Sequence, residues 1–224
     1  MEPLVPSTWP GGFGAYKFSK KAVKFNLGTI VLLWIIDLAV GGGFDFIFKR
    51  GGGLVGLVFG SLVMAALTLT FIASVRGKRL EIGEAFSQAL TFWLRMIGLT
   101  LLVSITIVIS ILLLVVPFFF VFPRLVLASY FLVDKNQGVI DAYKASWNAT
   151  KGHVGKVYGI VGATILMALL MVTIIGIPFS IYFLVMYSAV FAVLYEFINK
   201  PTPAPAAAAS APAPPTAPAP PKVS

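Results

Sequence analysis

Long apolar runs dominate this chain, and one of them extends from Ser104 to Val133. This run contains one charged residue, Arg124. A single helix over residues 97–133 would be about 55 Å long at 1.5 Å per residue, whereas the hydrocarbon core of a bilayer is about 30 Å thick. Soluble cores do not need apolar runs of that length. The pattern therefore predicts a membrane protein, with two spans folded back on each other near Pro117.

The same criterion identifies six apolar segments along the chain. They cover residues 25–41, 54–75, 96–116, 118–133, 157–175 and 177–198. Proline can end one helix and begin the next, so Val116-Pro117-Phe118 and Gly176-Ile177-Pro178-Phe179 are expected to form two of the outer turns. The predicted fold is an all-α, polytopic membrane bundle of six transmembrane helices.

Shorter stretches beside these segments have the periodicity of amphipathic helices. In residues 80–93 the apolar side chains recur at helical spacing as far as Trp93, and polar side chains occupy the opposite face. Residues 138–150 have a similar stripe that contains Trp147, and four lysines share one face near the N-terminus. These stretches predict short interfacial helices, with Trp93 and Trp147 as anchors at the membrane boundary. Connectors packed beneath the bundle would show the same pattern.

An Ala-aromatic pair near the start of each amphipathic stretch indicates an internal repeat. The pairs are Ala15-Tyr16, Ala85-Phe86 and Ala142-Tyr143, and a glycine follows thirteen residues after each alanine, at Gly28, Gly98 and Gly155. The later two copies also end alike, in Val133-Asp134 and Tyr195-Glu196. We interpret the chain as three units, each an interfacial helix followed by a membrane hairpin. Chance matches in a biased composition are the alternative.

Lysine and arginine are concentrated on one side of the predicted spans. Four lie in each of the segments 1–25, 76–95 and 134–156 and two in the tail, whereas Lys49 and Arg50 fall on the opposite side. Because cytoplasmic loops are rich in these residues, both termini are expected in the cytoplasm, for a multi-pass protein of the plasma (inner) membrane. The same charges make anionic lipid headgroups at the cytoplasmic face the expected partner.

The chain divides into three parts on this interpretation. Residues 1–24 form a cytoplasmic amphipathic segment, residues 25–198 the six-helix membrane domain, and residues 199–224 a disordered cytoplasmic tail. The tail is almost entirely proline and alanine, so it cannot bury a core and is expected to be partly polyproline II. It could recruit a protein partner that binds proline-rich segments, although a spacer role is favoured.

Composition excludes several classes of function. The chain is 58% hydrophobic and 11% charged, with no cysteine and one histidine, so neither a metal site nor a disulfide is expected. The net charge of +9 is spread beside apolar spans and not over a basic soluble domain, so nucleic acid is not an expected partner. We expect no cofactor and no catalytic residue set, and we predict that the protein is not an enzyme.

Arg124 is the candidate residue for a functional role, because it lies within an apolar run. Burying an arginine costs about 2.5–3.5 kcal/mol on insertion scales, so its side chain needs a partner or access to water. It could bind a lipid phosphate or another anion between helices. It could also mark a helix end, with its side chain snorkelling or pairing with Asp37 or Asp45 at the outer face, and this second interpretation is favoured.

Residues 123–157 carry a motif that occurs in a known group of proteins. Arg124-Leu125-Val126-Leu127-Ala128 leads into a span that ends at Asp134, and Asp141-Ala142-Tyr143-Lys144-Ala145-Ser146-Trp147 and Thr150-Lys151-Gly152 follow. This resembles the membrane domain of bacterial glycerophosphoryl diester phosphodiesterases and related uncharacterised six-helix bacterial membrane proteins. The resemblance implies the membrane module alone, because the catalytic (β/α)₈ barrel of those enzymes needs about 250 residues of its own.

The predicted function is a non-enzymatic role in membrane organisation, lipid association or partner scaffolding. A small transporter or channel is the alternative. Transporters place several polar residues together within the membrane, or break paired helices at Gly and Pro. The sequence offers Arg124 for the first feature, and its prolines fall at predicted turns.

Overall fold

The computed structural model describes residues 4–47, 52–113, 115–170 and 176–200, and every regular element within these ranges is an α-helix. The helices are α1 (Gly11–Val23), α2 (Leu27–Ile47), α3 (Gly52–Val75), α4 (Ile82–Leu112), α5 (Val115–Leu125), α6 (Ala128–Asp134), α7 (Val139–Ala149), α8 (Val154–Leu170), α9 (Gly176–Tyr187) and α10 (Val190–Asn199). By helix length and hydropathy the chain is a multi-pass membrane protein, as the apolar pattern predicted. The predicted tail at 199–224 lies outside the described residues beyond Lys200.

The described residues contain four or five candidate membrane spans. Four helical segments are each long and apolar enough to cross a membrane: Gly56–Val75, Ile82–Leu112, Pro117–Asp134 and Ile181–Asn199. The fifth candidate combines α1 with Leu27–Ala39, which meet at a bend of 102°. The predicted span at 157–175 corresponds to the shorter apolar helix Val154–Leu166, and residues 171–175 lie outside the described ranges. The predicted count of six spans is therefore not confirmed.

The second amphipathic stretch differs from its prediction, because it is not a separate helix. Residues 82–112 form one helix of 31 residues, α4, whose N-terminal part contains residues 82–93 of the predicted 80–93 stretch. The Glu84 carboxylate accepts the backbone N–H of Glu81 at the start of α4. Leu94, Arg95 and Met96 are strong helix formers, so nothing in the sequence breaks the helix after Trp93.

The outer turn between α4 and α5 also falls earlier than predicted. Helix α4 ends at Leu112 and α5 begins at Val115, so Pro117 lies in the first turn of α5 and not at the turn itself. Pro178 has the same place in α9, which begins at Gly176. A proline in the first helical turn sacrifices no intrahelical hydrogen bond, because the first backbone N–H groups of a helix have no partner there.

The core lies where the second half of α3 meets α6 and α10. Tyr195, Leu132 and Val193 are fully buried there, and the apolar residues of α3 from Val63 to Val75 pack into the same cluster. Apolar side chains in the opposite half of the bundle are exposed on the protein surface, for example Leu112, which is 80% exposed. Bare apolar surface of this extent suits contact with lipid.

Helix breaks recur at matching positions of the predicted second and third units. Helices α5 and α6 are interrupted at Val126-Leu127, and α9 and α10 at Ser188-Ala189, a separation of 62 residues. The same number of residues separates Asp134 from Glu196. Units two (α4–α6) and three (α7–α10) therefore share a broken second helix, whereas α3 in unit one (α1–α3) continues without a break.

Helices α1 and α7 form as the amphipathic pattern predicted, and each buries its Ala-aromatic alanine. Ala15, Ala85 and Ala142 are all fully buried. Helix α1 packs on α3 and α10, the N-terminal part of α4 on α3, and α7 on α6. Each amphipathic helix thus packs on the second helix of a different unit, and α1 joins the first unit to the last.

Candidate functional site

An ion-pair cluster joins the ends of the three units. Arg76, the residue after α3, contacts the Asp134 carboxylate at 2.6 Å through Nη1 and the Glu196 carboxylate at 2.8 Å through Nε. The Tyr195 hydroxyl donates to the second oxygen of Asp134 at 2.7 Å. We call Arg76, Asp134, Tyr195 and Glu196 the terminal cluster. Its members come from α6, α10 and the end of α3, the three helices that meet in the core.

Burial and charge act in opposite directions on Arg76. Partial burial alone would lower the pKa of its guanidinium, but hydrogen bonds and charges from Asp134 and Glu196 outweigh that effect and hold the pKa above its ordinary value. The Asp134 side chain is only 6% exposed, so it depends on Arg76 for compensation of its charge. The ion pairs of the terminal cluster therefore connect the ends of the three units.

A buried asparagine fixes the basic loop that follows α3. Asn26 donates through Nδ2 to the Lys78 carbonyl at 2.8 Å and to Ser74 Oγ at 2.9 Å, and its Oδ1 accepts the Leu80 N–H at 2.7 Å. The Thr29 hydroxyl donates to the Leu80 carbonyl at 3.0 Å. The loop also uses Gly77 at φ +69°, a backbone conformation that favours glycine. Lys78 and Arg79 are thereby held at the surface in a defined position.

A groove of about 360 Å³ lies beside this loop, between α3, α4 and α6. We call it the loop groove. Its apolar wall is formed by Leu69, Ile72, Ala73, Leu80, Phe92 and Val133. Its polar rim is formed by Arg76, Lys78, Arg79, Gln88 and Asp134. An apolar wall under a mostly cationic rim can accept an amphipathic anion.

Arg124 lies at the end of α5, against α7. Its guanidinium carbon is 5.8 Å from the centre of the Trp147 ring, and its buried Nη1 has no hydrogen-bond partner among the described residues. Within the same residues Arg124 forms no ion pair with Asp37, and the side chain of Asp45 lies outside the described part. The Arg124 side chain therefore packs on the amphipathic helix α7, whereas snorkelling or an ion pair with an aspartate at the outer face was expected. Contact between Arg124 and a lipid or anion stays a prediction.

The backbone of Arg124 has a clear structural role. Its carbonyl accepts the Ser146 hydroxyl at 2.7 Å. In the third unit's last helix pair, the Met186 carbonyl accepts the Ser19 hydroxyl at 2.6 Å in the same way. Ser19 and Ser146 each follow the repeat alanine by four residues, and Arg124 and Met186 are 62 residues apart. The two hydrogen bonds therefore occupy matching positions when the chain is interpreted as three units.

The two predicted tryptophan anchors have different surroundings. Trp93 donates its indole N–H to the Val58 carbonyl at 2.8 Å, which ties α4 to α3. Trp147 stacks on Tyr143 with ring centres 6.4 Å apart, on the face of α7 that Arg124 covers. Both side chains are partly exposed, and their role at a membrane boundary stays a prediction.

A second cavity of about 450 Å³ lies between α3, α4 and the α5–α6 junction. Its wall is mainly apolar, with four hydroxyl-bearing residues, Ser61, Thr100, Ser104 and Ser129. These residues belong to α3, α4 and α6, and no charged side chain lines the cavity. In the described ranges, no group of three or more His, Cys, Asp or Glu residues could hold a metal ion.

Sequence reasoning identified the acidic ends of two units but missed their common partner and the role of Asn26. The position of Arg76 directly after an uncharged span, where the other units end in Asp134 and Glu196, was the available signal. Comparisons with family models, with curated proteins and with solved structures return no match for this chain.

Proposed function

We propose that this protein is a non-enzymatic membrane module that associates with anionic lipids at its basic end and organises the membrane or a partner complex there. The observation that carries the proposal is a set of exposed cations around the terminal cluster. They are Lys78, Arg79, Arg95 and Lys135. Lys135 Nζ lies 3.8 Å from the Asp134 carboxylate, and Arg95 donates to the Asn136 side chain at 2.6 Å. Both cations are therefore beside the terminal cluster.

Charge and hydrophobicity together support a lipid partner. Each Lys or Arg close to an anionic leaflet contributes about 1 kcal/mol of attraction, so several around one face give substantial binding. The cations stand next to helices that are apolar enough to cross a bilayer. This end is the cytoplasmic one on the positive-inside rule, with both termini on the same side. The resemblance of residues 123–157 to a membrane module without its enzyme agrees with this role.

The proposal is tested by the lipids that the protein retains. The full chain is extracted from membranes in nanodiscs formed without detergent, and the retained lipids are quantified against those of the membrane. Enrichment of anionic over zwitterionic phospholipid, lost progressively as salt rises, is expected. Lipid in the same proportions as the membrane, at any ionic strength, would refute lipid association as its role.

A further inference from the structure

We infer that the loop groove binds one anionic phospholipid, with its phosphate at Lys78 and Arg79 and an acyl chain along the apolar wall. This inference rests on the proposed function and names the site at which it operates. The diffuse attraction proposed above needs only surface charge, whereas the loop groove would hold a single lipid in a defined place.

The groove lies at the depth where a lipid changes from chain to headgroup. Its apolar wall includes Leu69, Ile72 and Ala73 from the last turns of α3, and the candidate span Gly56–Val75 ends just before the rim begins at Arg76. Val133 and Phe92 complete the wall from α6 and α4. An acyl chain along this wall would leave its phosphate level with residues 76–79.

The rim favours an anion. Lys78 and Arg79 supply two cations besides Arg76, whose guanidinium is engaged by Glu196 and by the one carboxylate of the rim, Asp134. Arg76 and the Tyr195 hydroxyl already satisfy that carboxylate, so it presents little free negative charge to the groove. Lys78 and Arg79 are exposed. Gln88 adds a side-chain amide that can donate to a phosphate or glycerol oxygen.

The basic rim is organised before any ligand arrives. Asn26 is 5% exposed and holds the loop through the Lys78 carbonyl and the Leu80 N–H. A loop that is already fixed does not lose further conformational freedom on binding, which strengthens binding by that saved cost. Asn26 is thus a positioning residue for the site and touches no ligand itself.

The test measures binding of a short-chain phosphatidylglycerol to the purified full chain in neutral detergent, by native mass spectrometry. The double variant Lys78→Gln with Arg79→Gln is compared with Lys144→Gln with Lys151→Gln, which removes the same charge from exposed positions on and after α7. We expect binding to weaken roughly 30-fold in the first variant and less than about threefold in the second. Phosphatidylcholine should bind weakly to all three proteins.

A second variant tests the apolar half of the site with the charges intact. Ala73→Phe places a ring in the groove, and it should weaken phosphatidylglycerol binding while leaving inorganic phosphate without effect as a competitor. Displacement of the lipid by millimolar phosphate would overturn the inference, because it would reveal a simple anion pocket. Equal losses in the two double variants would overturn the site but leave the proposed function standing. Absence of any preference for phosphatidylglycerol in the unmodified chain would refute both the lipid site and the proposed function.

Discussion

At the scale of single residues, two serines bind units together at equivalent places. Ser19 and Ser146 are fully buried, and each donates to a backbone carbonyl just before a break in another unit's helix. In unit two the equivalent position is Ala89, which is also fully buried but has no hydroxyl. All three units thus have a small buried side chain at this position, but only the two serines among them donate a hydrogen bond to another unit.

Replacing either serine by alanine should destabilise the fold by a similar amount. We expect Ser19→Ala and Ser146→Ala each to cost about 1 kcal/mol, because each removes one buried interhelical hydrogen bond. Thermal unfolding in detergent, followed by circular dichroism, measures the change. Ser87→Ala is the control, since Ser87 is exposed and its hydroxyl donates to the Glu84 carbonyl within α4. A loss at Ser87 as large as at Ser19 would argue against a special role for the two buried serines.

The terminal cluster makes a second prediction at this scale. Arg76→Met should destabilise the fold by about 2 kcal/mol, because it leaves the Asp134 carboxylate buried without a cation; partial exposure of Arg76 keeps the cost below that of a fully buried pair. Lys135→Gln, at a half-exposed position beside the same carboxylate, should cost less than about 0.5 kcal/mol.

A charge-neutral triple variant separates the charge interactions of the terminal cluster from a simple loss of packing. Adding Asp134→Asn and Glu196→Gln to Arg76→Met should recover part of the stability, since no uncompensated carboxylate then remains. Chemical unfolding of the single and triple variants gives the two free energies. Stability that falls further in the triple variant would show that the cluster is not held together by its charges.

At the scale of elements, α1 approaches α8 so closely that only glycine fits. A Cβ atom added to Gly12 would overlap the Gly159 carbonyl. The Tyr187 hydroxyl donates to the Gly12 carbonyl at 2.7 Å, and Tyr16 stacks on Phe183 with ring centres 4.9 Å apart. Helix α1 is therefore an integral part of the bundle.

Gly12→Ala should separate α1 from α8 and cost about 1–3 kcal/mol. Gly28→Ala is a matched control, because a Cβ at Gly28 meets no atom within 4 Å and alanine favours the helix. It should be neutral or stabilising by up to about 1 kcal/mol. Limited proteolysis of α1 reports the separation directly. If Gly12→Ala resisted protease as well as the unmodified chain, the close approach would not matter for the fold.

The pattern of apolar and polar positions predicted the existence of most elements but not how they join. Helix α1 forms where the lysine-rich face near the N-terminus predicted a helix, and α7 forms where the stripe that contains Trp147 predicted one. The 80–93 stripe formed too, but it continues into the following span, because periodicity identifies a buried face and not the point where a helix ends. The repeat glycines likewise differ: Gly98 would crowd Val139 if it carried a Cβ, whereas Gly28 and Gly155 face open space.

At the scale of the whole molecule, the three units close on one another at the charged end. Arg76, Asp134 and Glu196 each end a unit, yet only the folded chain brings them together. Sequence reasoning found the two acidic ends and expected the Arg124 side chain to snorkel or to pair with Asp37 or Asp45, whereas the structure places Arg124 against α7. Partner choice across more than 50 residues depends on packing that a local pattern does not encode.

This closure requires that all three unit ends lie on one side of the membrane. The basic segments at Lys78, Lys144 and Lys200 should therefore share one side, and the α2–α3 connection near Gly52 should lie on the other. The terminal cluster depends on this arrangement because its residues end three different units. The proposed lipid site depends on it because its cations must face a single leaflet.

Cysteine accessibility in intact cells tests this arrangement most directly, because the chain contains no cysteine and single-cysteine variants have no background. Lys78→Cys, Lys144→Cys and Lys200→Cys should react with a membrane-impermeant maleimide only after the cells are opened. Gly52→Cys should react in intact cells. Labelling of Lys144→Cys from outside would contradict the account, because unit three would then face the opposite side and its last helix could not bring Glu196 to Arg76.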